Sequence, residues 1–158
     1  VDIEFRVEDI FRMLYYDKDV LCGGCPFKEL PQKYVIETTG ELEEDRFPVL
    51  HNAGTGFMMI KREVILKMFE AYPDLKYDFN QSTITASSVP GIEPFAYTLF
   101  DTGVEELEDG KIQYLSEDYL FCRRWQKIGG KVLLDTETML HHIGRHKYLG
   151  RELTGLVE

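Results

Sequence analysis

Apolar residues recur at helical spacing in three places along the chain. Val7, Ile10, Phe11 and Leu14 fall on one face of a segment over residues 7–16, with Glu8 and Asp9 in a first turn where carboxylates complement the helix dipole. Val64, Ile65, Met68 and Phe69 form the inner face of a second helix, opened by Lys61 and Arg62 and ended at Tyr72-Pro73. The third begins after Ser116, a residue suited to capping. It carries Phe121, Trp125 and Ile128 and closes at Gly129-Gly130.

Shorter β-rich runs lie between these helices. Residues 1–5 alternate, 19–22 read as a buried strand stopped by Gly23-Gly24, and 33–38, 57–60, 95–100, 131–134 and 139–143 follow as further strands. Asp109-Gly110 is a hairpin turn signal between strands at 104–107 and 112–115. The acidic stretch 40–45 reads as an exposed turn. Residues 76–94 lack periodicity and contain Ser87-Ser88-Val89-Pro90-Gly91, which predicts a long loop able to close over a ligand. The pattern is that of an α/β fold with a mixed sheet flanked by helices.

The 158 residues suffice for one domain with its own core, and 44% hydrophobic with 13% aromatic content argues against disorder. The net charge of −10 excludes nucleic acid as the expected partner, because phosphate backbones are held by clustered Lys and Arg. It leaves room for a phosphorylated small molecule brought in by a metal ion. Three cysteines at no framework spacing suggest free thiols and a reducing, cytoplasmic compartment. Cys22-Gly-Gly-Cys25 has the spacing of a zinc or redox pair. No second such pair completes a zinc site, however, and Gly-Gly before Pro26 is a poor helix start for thioredoxin-like chemistry. No run reaches the roughly 18 apolar residues of a membrane span. The chain opens on Val1, inside a strand-like run, and reads as a piece of a longer protein.

Three places carry candidate chemistry. Asp2 lies beside the first strand, where an aspartate is also an ordinary turn or cap residue. Glu117 and Asp118 open the third helix; they suit its dipole, and a carboxylate there could also accept a hydroxyl proton. His141-His142-Ile143-Gly144 precedes His146, so three of the four histidines lie close together. Neighbours on a strand face opposite ways, so at most one of His141 and His142 points into a given site. A lone histidine is commonly structural, yet imidazole with carboxylate is a usual ligand set for Mn²⁺ or Zn²⁺.

In order along the chain these features resemble glycosyltransferases of the GT-A fold, similar to glycosyltransferase family 2. Asp2-Ile3-Glu4-Phe5 resembles the tail of that family's D-x-D motif, with the first Asp falling ahead of Val1. A helix and a strand follow, then Pro26-Phe27-Lys28 and the glycine-rich Asn52-Ala53-Gly54-Thr55-Gly56-Phe57. Glu117-Asp118 matches the E-D pair at a helix start, and His142-Ile143-Gly144 the final H-x-G. The resemblance covers residues 2 to about 150. It implies the C-terminal, acceptor-side half of a GT-A fold, without the upstream nucleotide-binding half.

It also implies a metal-dependent enzyme that moves a sugar from a nucleotide-diphosphate donor, such as a UDP-sugar, to a hydroxyl of a glycan, lipid or protein acceptor. Asp2 would bind the Mn²⁺ or Mg²⁺ that bridges the donor diphosphate, with His142 as a second ligand. Asp118 would be the general base if the reaction inverts the anomeric centre. Gly54, Thr55 and Gly56, with Glu117 and Lys28, would contact substrate, the glycines by allowing close backbone approach. The alternative is a non-catalytic, transferase-like module that binds a sugar or a partner protein.

Overall fold

The computed structural model describes residues 2–44, 46–78, 91, 93–106, 110–144 and 146–154. Its centre is a five-stranded mixed sheet of β2 (Val20–Gly23), β3 (Ile36–Glu43), β4 (Phe47–Ala53), β5 (Met58–Ile60) and β8 (Val132–Asp135), in the order β3-β4-β8-β2-β5. β2 and β8 run parallel, with Leu21 opposite Leu133, and the other pairs are antiparallel. β1 (Ile3–Glu4), β9 (His141–Ile143) and β10 (Lys147–Leu149) make a separate three-stranded sheet with β9 in the middle. β6 (Gly103–Glu106) and β7 (Ile112–Leu115) pair as the expected hairpin, whose Asp109 lies outside the described residues.

Strand alternation sorts the core onto two faces of the large sheet. Val20, Cys22, Leu50, Val132 and Leu134 point to one side, where they meet Val64 and Met68 of α2 (Arg62–Ala71) and Phe121, Cys122 and Trp125 of α3 (Glu117–Lys127). Leu21, Val49 and Leu133 point to the other side and pack with Phe47 and with Met13 of α1 (Val7–Tyr16). β2 and β8 are therefore buried on both faces, which is why they read as unbroken apolar runs. The three helices lie where the periodicity puts them. Ser116 stands at the N-cap of α3, but its side chain makes no capping bond.

The structure adds to or departs from the sequence reading in four places. The apolar stripe of α1 faces outward, with Val7, Phe11 and Leu14 59%, 66% and 58% exposed, while Asp9 and Met13 are buried. A buried polar network sets this rotation. Arg12 donates to Asp135 Oδ2 at 3.0 Å, to Asp9 Oδ1 at 2.7 Å and to Thr138 Oγ1 at 3.2 Å, and Arg6 donates to Asp9 Oδ1 at 2.8 Å.

The segment 40–45 is not simply a turn, because β3 continues to Glu43. Gly40, at φ +85°, sits in a bulge: Thr38 pairs with Leu50 and Leu42 with Pro48, so the β3 side holds the extra residues. β4 was not anticipated from the sequence. Pro48 argues against a central strand, yet β8 pairs only with Val49 and Leu50, so the missing N–H of Pro48 costs no ladder bond there.

Residues 95–100 form no strand. Glu93–Phe95 is a 3-10 turn, and Tyr97 makes one isolated bridge to Lys76. The aromatics bind helices instead, Tyr97 stacking on Phe69 at 4.0 Å and Phe100 on Phe121 at 4.3 Å between ring centres. Arg124 occupies the carbonyls of Thr98 and Leu99 at 2.8 and 2.9 Å, which a neighbouring strand would otherwise need. The long loop expected over 76–94 lies mostly outside the described residues, as do 79–90 within it.

Candidate functional site

Antiparallel pairing of β1 with β9 sets Ile3 opposite His142, and the amide of Ile143 donates to the carbonyl of Asp2 at 2.7 Å. This brings Asp2 and His142, 140 positions apart, to 3.3 Å between Oδ2 and Nε2. His142 Nδ1 lies 2.8 Å from the Pro26 carbonyl. A carbonyl only accepts, so Nδ1 carries the hydrogen and Nε2 is the atom turned to Asp2. His141 faces elsewhere: its Nδ1 accepts from the Gly150 amide at 3.2 Å.

Lys28 completes this corner. Its ammonium is 2.6 Å from the same Asp2 oxygen, and both side chains are about half exposed. The hydrogen bond from Lys28, with His142 adding to it, holds the Asp2 carboxyl below its ordinary range.

Asp118 is the second residue of α3. Thr55 Oγ1 donates to its Oδ1 at 2.7 Å, and Oδ2 lies 3.6 Å from where a Cβ on Gly54 would stand. Gly54 lets the backbone sit close here, since that Cβ would also press on Val35 at 3.0 Å. Gly56 likewise lets the 3-10 turn Thr55–Phe57 close on Cys25, whose Sγ would be 3.1 Å from a Cβ at that position. Glu117 is exposed at the helix start.

Cys25 joins the two halves of the site. Its thiol is buried and pushed up to about 11, first by burial and then by the negative charges of Asp2 and Asp118. Both carboxylates therefore act on one buried sulfur, and the 3-10 turn that carries Thr55 packs beside it, since a Cβ on Gly56 would stand 3.1 Å from Cys25 Sγ and 3.7 Å from Ile3. The sequence reading missed Cys25 and the Pro26 carbonyl. Their signal was the position of Cys25-Pro26-Phe27-Lys28 just after β2, since strand ends of such sheets are common ligand sites. Cys22 and Cys122 are free and buried in the core, so Cys22-x-x-Cys25 forms neither a disulfide nor a surface thiol pair.

The Asp2–His142 pair suits a divalent cation. Two ligands at adjacent corners of an octahedral ion, each about 2.1 Å from the metal, stand about 3 Å apart. A histidine that donates its other ring nitrogen to a backbone carbonyl is the usual arrangement around bound metals. Among the described residues no group of three or more His, Cys, Asp or Glu side chains could hold a metal ion. An ion here would take its remaining ligands from water and from a bound anion, as Mg²⁺ commonly does. Among the described residues no helix is long and apolar enough to cross a membrane.

In comparisons with known proteins, the chain matches no protein-family model, no curated protein and no solved structure.

Proposed function

We propose that this chain is the acceptor-side, catalytic part of a metal-dependent glycosyltransferase of the GT-A type, using a nucleotide-diphosphate sugar and an acceptor hydroxyl. The observation that carries the reading is the approach of Asp2 to His142, at 3.3 Å between Oδ2 and Nε2. The order of motifs in the sequence supports it independently.

In this reading Asp2 and His142 hold Mn²⁺ or Mg²⁺, which when bound supplies positive charge to the departing diphosphate. Asp118 takes the proton of the acceptor hydroxyl. Thr55 occupies Oδ1 by its hydrogen bond, leaving Oδ2 as the basic atom, above a glycine backbone that lets the acceptor approach. Asp118 stays unligated in this reading, because a ligated carboxylate is a poor proton acceptor. Gly54, Thr55, Gly56, Glu117 and Lys28 line the space between donor and acceptor.

Paired variants test the assignment. Asp118→Asn leaves nucleotide-sugar binding nearly intact and removes turnover by about 10²–10⁴-fold. His142→Ala weakens Mn²⁺ and donor affinity by roughly tenfold or more. Near-normal turnover in Asp118→Asn refutes the base.

The second reading, a non-catalytic sugar- or protein-binding module, draws on Lys28, whose ammonium already neutralises Asp2 without any metal. Sugar-nucleotide hydrolysis or transfer by the intact protein decides against it.

A further inference from the structure

Asp2 Oδ2 has two partners competing for one carboxylate oxygen: Lys28 Nζ at 2.6 Å and His142 Nε2 at 3.3 Å. A divalent cation held by Asp2 and His142 would have to share that oxygen with an ammonium already in contact with it. Two cations that close repel, and the divalent one has the stronger attraction for a carboxylate. The ammonium is therefore the one to leave.

Lys28 is built to move a short way and stay. Its head is partly exposed, and its stem runs beside Gly144, with Cδ and Cε 3.5 and 3.6 Å from where a Cβ on that residue would stand. Its backbone lies two residues after Pro26, whose carbonyl fixes His142. The stem is thus anchored at the site while four rotatable bonds free the charge.

We infer that Lys28 is an internal counter-ion of the Asp2–His142 pair, displaced by the incoming divalent cation and thereby released to bind the donor's diphosphate. This rests on the metal reading above. The same residue would then oppose metal binding when no donor is present and favour donor binding when metal is. Metal and nucleotide would load together, and the empty protein would hold little metal.

Free Mn²⁺ measured by electron paramagnetic resonance, and UDP binding measured calorimetrically with Mn²⁺ present, separate these effects in the full chain. Lys28→Met binds Mn²⁺ alone roughly threefold or more tightly than wild type, since an exposed ion pair of modest strength no longer competes. The same variant binds UDP with Mn²⁺ about tenfold more weakly. Lys28→Arg, which keeps the charge, stays near wild type in Mn²⁺ binding.

Wild type and Lys28→Met binding Mn²⁺ equally would overturn the counter-ion role while leaving the metal site standing. Weaker Mn²⁺ binding by Lys28→Met would overturn it too. Failure of both proteins to deplete free Mn²⁺, with or without UDP, would remove the metal reading itself and this inference with it.

Discussion

The Thr55 hydroxyl donates to Asp118 Oδ1 at 2.7 Å, across 63 positions of sequence, and so joins the turn after β4 to the start of α3. The bond fixes which carboxylate oxygen remains open above Gly54. Thr55→Val keeps the shape and removes the donor, so Asp118 is no longer held in one rotamer. We expect turnover to fall about tenfold with donor affinity unchanged, because misplacement of a catalytic group costs rate rather than binding. Thr55→Ser restores most of the rate. Equal turnover in wild type and Thr55→Val, measured at saturating substrate, would show that the bond does not position Asp118.

The Arg6–Asp9–Arg12–Asp135 network predicts acid sensitivity independent of the Asp2–His142 pair. Burial of Asp9 works against its charge, but the hydrogen bonds from Arg6 and Arg12 outweigh it and hold the carboxyl below its ordinary value. A carboxyl whose folded pKa is depressed stabilises the fold above its unfolded pKa, near 3.9, and loses that contribution as pH falls through the lower folded value. The melting temperature should therefore drop below about pH 4. Asp9→Ala, which leaves Arg12 with Asp135 as its buried carboxylate partner, should cost about 2 kcal/mol at pH 7 and flatten this acid limb in a thermal-melt series. An unaltered limb would place the sensitivity in other carboxylates.

How much could be read from the sequence follows from which forces were local. α2, α3, β2 and β8 are continuous or periodic apolar patterns, and these were legible because burial on a fixed face leaves that signature. β4 was hidden by Pro48, whose cost vanishes only because β8 stops short of it. Residues 95–100 misled because aromatic, β-rich content says nothing of whether Phe69, Phe121 and Arg124 will claim the segment first. The outward turn of α1 likewise depends on Asp135 and Thr138, residues more than a hundred positions away. Asp2, Asp118 and His142 stood out as chemistry-bearing types, but the approach of Asp2 to His142 comes from the pairing of β1 with β9 and could not be computed from spacing. Cys25 looked like half of a motif, and its burial beside the turn at Gly56 has no local signature.

Gly129-Gly130 supplies a prediction about stability in which the two glycines do different work. Gly129 adopts φ +88°, a left-handed conformation that terminates α3, and the space around its Cα is open. Gly130 has no such φ, but a Cβ there would stand 2.0 Å from Cε2 of the Trp125 indole. Its amide donates to the Trp125 carbonyl at 3.0 Å, so the backbone cannot back away freely. Gly129→Ala should cost about 1 kcal/mol, the strain of a left-handed alanine. Gly130→Ala should cost about 2–3 kcal/mol or more through overpacking. Urea unfolding of the two variants orders them, and a Gly130→Ala variant as stable as wild type would mean that Trp125 relocates at no cost.

The parallel contact of β2 with β8 has a consequence for how the chain is made. The Cys22 thiol donates to the carbonyl of Leu133, 111 positions later, and β2 has no other parallel neighbour among the described strands. At a translation rate of about 5–20 residues per second, β2 leaves the ribosome about 5–20 seconds before the strand that covers its central edge. During that interval its apolar run Val20-Leu21-Cys22 is paired at most with β5, and its other edge stays open. Synonymous or structural changes that slow synthesis between α2 and α3 would lengthen the exposure and lower the yield of folded protein, with the final stability unchanged.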